Sequence, residues 1–103
     1  MFVEITGDGP QVREATDLKR LAVVAPDAAS LAGVGSLGEV DADGEHVWLS
    51  IPAFKAAAAG TLPEADREEW SAGFDGMIAF AAKHGWTNAE GTAVRAHAEF
   101  TAG

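Results

Sequence analysis

Short β-prone segments occur at three places along the chain. The first is Phe2–Thr6, which a Gly-Asp-Gly-Pro turn ends. Two strands are predicted within Leu37–Ile51, joined at Asp43-Gly44, a dipeptide that favours a two-residue type I′ hairpin turn. The last segment is Val94–Phe100, in which apolar and polar residues alternate with the two-residue period of a strand. The pattern therefore predicts four strands, two of them paired in a central hairpin.

Residues 62–84 carry apolar side chains at spacings of three and four, which predicts an amphipathic helix. Thr61 and Glu64 fit a capping box at its start, and Gly85 follows the last turn, where helices commonly end. A shorter helix is predicted over 52–59. The apolar stripe of the long helix consists of Trp70, Phe74, Met77, Ile78 and Ala81.

The segment Gln11–Ala25 permits more than one interpretation. Its apolar residues also recur at spacings of three and four, so a helix is the preferred prediction. A shorter helix that begins near Leu18, or a buried strand over Leu21–Ala25, fits the same residues. Pro26 ends the segment, and Asp27 is placed to cap one further short turn of helix.

The length of 103 residues suffices for one hydrophobic core, so we expect a single domain spanning residues 1–103. Strands and helices in mixed order predict an α+β fold. We expect a four-stranded, mainly antiparallel sheet with helices packed on one of its faces.

The two-residue alternation of side chains in a strand places several polar and aromatic residues on one face of the predicted sheet. His46 and Trp48 alternate with apolar residues in the third strand, and Arg95 and His97 do the same in the fourth. If the apolar sets face the helices, these four side chains share the opposite face, and they are the predicted binding or interface residues. Trp48 has two interpretations: the segment Gln11–Gly35 covers it and makes it core, or a partner or ligand covers it.

Two short segments resemble ligand-binding loops, but the elements predicted around each of them do not fit the motif. Gly33–Gly38 has the glycine spacing of a dinucleotide-binding loop, but a strand instead of a helix is predicted to follow it. Asp41, Asp43 and Glu45 resemble the start of a calcium loop, but its twelfth position, where an EF-hand has glutamate, is Pro52. The sequence therefore predicts neither a cofactor nor a metal site.

His97 is the one candidate for catalysis. Histidine is the side chain that most often transfers protons near neutral pH, and Arg95 lies two residues away as a contact for an anionic group. His84 is instead expected to act as a cation at the end of the long helix, and Trp86 to pack back onto that helix. The serines do not lie in a Gly-x-Ser-x-Gly nucleophile elbow.

Charge and composition narrow the classes of partner. The chain has 7 Lys and Arg against 16 Asp and Glu, which gives a formal net charge of −9. Nucleic acids and anionic membrane surfaces need clustered cations, so neither is an expected partner. The chain has no Cys, which excludes disulfides and thiolate chemistry. No apolar run approaches the roughly 20 residues of a membrane span, and we expect a soluble, cytoplasmic protein.

Three hypotheses about function fit these observations. The leading one is a small acidic non-enzymatic domain that self-associates, as a homodimer, or binds another protein through the sheet face of Trp48, Arg95 and His97. The second is a small-ligand-binding protein or enzyme that uses His97 as acid or base and Arg95 as anion contact. The third is an acidic accessory subunit of a larger complex.

Overall fold

Six strands form one mixed sheet in the computed structural model, which describes residues 1–101. One of these strands, and the last three residues of another, occupy the segment that the sequence pattern assigns to a helix. The strands are β1 (Phe2–Thr6), β2 (Gly9–Arg13), β3 (Ala22–Ala25), β4 (Gly38–Val40), β5 (His46–Ser50) and β6 (Ala93–Phe100).

The order of the strands along the sheet is β2-β1-β3-β6-β5-β4. β3 lies parallel to both β1 and β6, and the other neighbours are antiparallel. The sheet curls into a half-barrel whose concave side holds the core. The predicted α+β class is confirmed, but the prediction of four mainly antiparallel strands with helices on one face is wrong. The error arises because a local pattern contains no information on the parallel pairing of β3.

The helix predicted over Gln11–Ala25 does not form, whereas the alternative strand over its last residues does. β2 completes a hairpin with β1, in which Val3 pairs with Val12. The three- and four-residue spacing arises because short strands bury alternate residues and the loop between them adds Ala15. Pro10 lies in β2, at the edge of the sheet, where a missing backbone donor is tolerated.

The two α-helices are α1 (Ile51–Ala59) and α2 (Arg67–Lys83). α2 begins later than predicted, and the capping box does not form, since the Thr61 hydroxyl instead donates to the Ala58 carbonyl at 2.7 Å. Two 3-10 segments, Ala29–Leu37 and Glu64–Asp66, complete the helical structure of residues 1–101. No helix in this range is long and apolar enough to cross a membrane.

The core fills the concave side of the half-barrel. Trp70 and Phe74 of α2 are buried there, and the Phe74 ring lies 5.7 Å from that of Phe54 in α1. The Trp70 indole N–H donates to the Ala15 carbonyl at 2.6 Å, which ties α2 to the loop after β2. Phe100, predicted on the apolar side of β6, is instead 43% exposed at the end of that strand.

The glycine-rich segment 33–38 forms the second half of the first 3-10 segment and the first residue of β4, so it has no helix after it on which a phosphate would bind. Gly38 is required for a different reason. A Cβ built on it would overlap the backbone carbonyl oxygen of Trp48, so the close approach of β4 to β5 needs glycine there.

Candidate functional site

The convex side of β4, β5 and β6, which we call the outer face, carries Glu39, His46, Trp48, Arg95 and His97. His46 lies directly opposite His97, and Trp48 lies directly opposite Arg95. The alternate residues of both strands are buried on the concave side, which is why these side chains point outwards. The four residues that the strand alternation predicts to share a face thus form two adjacent cross-strand pairs.

The loop of residues 41–45, between β4 and β5, borders the outer face. The Gly44 N–H donates to the Asp41 carbonyl at 3.0 Å, and the Asp41 N–H donates to the His46 carbonyl at 2.9 Å. Gly44 has a φ of +69°, whereas Asp43 does not have a positive φ. The hairpin therefore forms where predicted, but through a longer turn than the two-residue type I′ turn.

This loop brings two carboxylates to Arg95. Its guanidinium donates to Asp41 at 3.2 Å through Nε, and its Nη2 lies 2.9 Å from Asp43 Oδ2 and 3.1 Å from Asp41 Oδ2. These partners are 54 and 52 residues away along the chain. The sequence pattern did not predict this contact because nothing local to Arg95 indicates that the central hairpin reaches it.

His46 joins the same network. Its Nδ1 lies 2.7 Å from Asp43 Oδ2, and it donates this hydrogen bond because an ionised carboxylate only accepts. The His46 ring also meets the His97 ring edge-on, with 5.4 Å between centroids. The backbone N–H of Glu45 contributes most to lowering the pKa of Asp43 to about 2, and the contacts from His46 act in the same direction.

Asp41, Asp43 and His46 are close enough together to be considered as a metal site, with ligand atoms within 4.8 Å of one another. All four carboxylate oxygens, however, already accept hydrogen bonds from Arg95, His46 or loop backbone N–H groups. A cation would have to displace the guanidinium. The cluster therefore fits a closed polar network better than it fits a metal.

Trp48 is half-buried on the outer face. It lines a shallow cavity with Ser36, Glu39 and Pro52, and no residue of 11–35 lines that cavity. The segment Gln11–Gly35 runs instead through β2, β3 and the 3-10 turns, whose buried apolar side chains belong to the core on the concave side: Val12, Val23, Ala25, Leu31 and Val34.

A groove of about 360 Å³ opens at the other border of the outer face, beyond Arg95. Its walls come from the segment before β3, from the second half of α2 and from Trp86 after α2. A second cavity of about 300 Å³ on the outer face shares Leu21, Trp86 and Arg95 with it and adds both His46 and His97. The sequence pattern did not reveal the groove because the preferred prediction placed Leu18 and Leu21 in a helix.

Two further aromatic residues are placed as the sequence predicts. The His84 Nδ1 lies 2.9 Å from the Phe80 carbonyl at the end of α2, and Gly85 follows with a φ of +76°. Trp86 turns back and stacks on His84 with 4.9 Å between ring centroids, yet it remains 47% exposed.

The chain was compared with protein-family models, with curated proteins and with solved structures, and no match was found. A functional assignment therefore rests on the geometry of the residues themselves.

Proposed function

We propose that this chain is a small non-enzymatic binding domain that self-associates through its outer face. The observation that carries the proposal is the Trp48–Arg95 cross-strand pair, whose side chains both remain partly exposed on the outer face. Tryptophan and arginine are enriched at the centres of protein interfaces. The commonest soluble oligomer is a two-fold dimer, in which the same patch of both copies meets.

The charges on the outer face support a contact between two copies that is mainly apolar at its centre. Arg95 is paired with Asp41 and Asp43 within the chain, so its cation needs no partner across the interface, and the three groups together carry one excess negative charge. The net charge of −9 on each chain opposes association, and salt screens this repulsion. Association should therefore strengthen as the salt concentration rises.

An enzymatic function with His97 as acid or base has less support in this geometry. Arg95, its proposed anion contact, is already engaged by two carboxylates, and His97 is exposed above an open cavity. A general acid or base is more effective where a site excludes water and fixes the substrate.

Size-exclusion chromatography with light scattering, from low to high micromolar protein, tests the proposal. We expect a concentration-dependent dimer, and Trp48→Ala should weaken it by about 1 kcal/mol or more if Trp48 is a hot spot. Phe80→Ala is the matched control, because Phe80 is an exposed aromatic residue in the groove and lines neither of the two outer-face cavities.

A protein that stays monomeric at high micromolar concentration would contradict the proposal. A dimer that Trp48→Ala leaves intact would contradict the assigned face. Circular dichroism of both variants establishes that they are folded. If Trp48→Ala does not fold, Glu39→Lys, an exposed change on the same face, replaces it and should alter association without altering the fold.

A further inference from the structure

The groove exists because two segments share one edge of β6. β3 pairs with that edge from His97 onwards, opposite Ala22. Nearer the start of β6, the Arg95 N–H donates to the Trp86 carbonyl at 2.7 Å, and Thr87 bridges to Val94. The chain before β3 and the chain after α2 stand apart between these two pairings, and the gap between them is the groove.

Packing contacts and a backbone hydrogen bond hold the two walls of the groove in position. Leu18, on one wall, packs so closely on α2 that a Cβ at Gly73 would come within 2.6 Å of its Cδ1. On the opposite wall, Trp86 is held between the backbone bond to Arg95 and the stack on His84. The volume of about 360 Å³ is within the range of small-molecule sites.

Most of the lining is apolar, and part of it faces water. Phe80 and Trp86 are 56% and 47% exposed, and their rings lie 6.1 Å apart. Covering exposed aromatic surface beside a concave site with a ligand lowers the free energy, because apolar area is removed from water. The apolar lining comprises chiefly Leu18, Leu21, Met77, Ile78, Phe80 and Trp86.

The charge of the groove is opposite to that of the chain. Its lining includes Lys19, Arg20 and Arg95 and, among residues 1–101, no Asp or Glu. Within those residues, neither Lys19 nor Arg20 has a carboxylate oxygen within 4.0 Å. Arg20 also borders a neighbouring cavity that is lined by Glu4, Glu14, Asp17 and Glu99, whereas Lys19 lines the groove alone. In a chain with 16 acidic and 7 basic residues, two cations without an ion pair on one apolar groove provide a local site for an anion.

We propose that the groove binds a small amphipathic carboxylate. Its apolar chain or ring lies between Leu21, Phe80 and Trp86, and its carboxylate is bound by Lys19 and Arg20. Burial of the apolar part supplies most of the affinity, and the two cations select a ligand with a negatively charged head group. This site shares Arg95 with the outer face but does not include Trp48 or the cavity that Trp48 lines.

Calorimetric titration with octanoate, 1-octanol and octylammonium, each below its aggregation concentration, tests the proposal. The three probes share one alkyl chain and differ only in the head group. We expect octanoate to bind about fivefold more tightly than octanol, the size of effect that two exposed ion pairs provide. Octylammonium should bind most weakly, although the net charge of the chain attracts it.

Two variants separate the apolar contribution to affinity from the ionic one, and Trp48→Ala is their control. Trp86→Ala should weaken both octanoate and octanol by about tenfold, since it removes one apolar wall. The double variant Lys19→Gln, Arg20→Gln should remove the preference for octanoate and leave octanol unchanged. Trp48→Ala should alter neither affinity. If circular dichroism shows that Trp86→Ala is not folded, the exposed Phe80→Ala takes its place.

The proposal is overturned if octanoate binds no better than octanol, if none of the probes binds, or if the charge-removing variant keeps the preference. None of these results bears on self-association, because the oligomeric state is measured without a ligand.

Discussion

The concave side and the outer face of β5 and β6 belong to the same strands, yet they are stabilised in different ways. On the concave side, Val47, Leu49 and Val94 are at most 1% exposed and belong to one apolar cluster. Between them on the outer face, Trp48 and Arg95 remain partly exposed. The two-residue period of a strand sets both sides at once, but packing stabilises one and long-range polar contacts organise the other.

The difference also predicts how each side responds to change. Emptying a buried apolar site typically costs several times more free energy than removing an exposed ion pair. The concave side should therefore determine whether the chain folds, and the outer face should tolerate substitution. Three changes, in order of decreasing effect, test this contrast.

The largest effect is expected at Phe74, which is fully buried on the concave side between Trp70 and Phe54. Phe74→Ala should lower the free energy of unfolding by about 3–5 kcal/mol. Phe80→Ala, further along the same helix and 56% exposed, is the matched control and should cost far less. Urea denaturation of both variants measures the difference. Equal losses would show that burial on the concave side does not dominate stability.

A smaller effect is expected at Gly44, whose φ of +69° is unfavourable for a β-branched side chain. Gly44→Val should destabilise the chain by about 1–3 kcal/mol. Gly44→Asn should cost less, because asparagine tolerates this conformation. Thermal denaturation ranks the variants. A neutral Gly44→Val would mean that the turn lies elsewhere, and the outward direction of Trp48 would then lose its basis.

The smallest effect is expected from protonation of Asp43 on the outer face. Its pKa falls from 3.8 to about 2 in the folded chain, so its charged form is stabilised by folding. This contribution is complete above about pH 4 and disappears as the pH falls towards 2. A carbon-detected NMR titration of the Asp43 carboxyl measures the value directly. A pKa at or above 3.8 would contradict the network of Glu45 and His46 contacts.

Elements with a clear period could be predicted from the sequence, and their physical basis is local. The stripe of α2 and the alternation in β5 and β6 reflect which side of each element is buried, so the directions of Trp48 and His97 could be predicted as well. β2 and β3 are only 5 and 4 residues long. Strands this short leave too few alternations to distinguish them from a helical stripe.

The rest of the candidate site depends on contacts between distant parts of the chain. Arg95 meets Asp41 and Asp43 only because β5 places the hairpin beside β6. The groove forms only because the segment that contains Leu18 packs on α2 rather than continuing the sheet. Neither arrangement can be predicted from the local pattern, since each depends on contacts between residues far apart along the chain.

β6 is the last strand within residues 1–101 and lies in the middle of the sheet. It joins the ribbon β2-β1-β3 to the β4-β5 hairpin, and these two parts of the sheet do not pair with each other directly. During synthesis, which proceeds from the N-terminus, both parts emerge from the ribosome before the strand that unites them. One edge of β3 and one edge of β5 therefore have no partner until residues 93–100 emerge, so the nascent chain presents open strand edges during this interval.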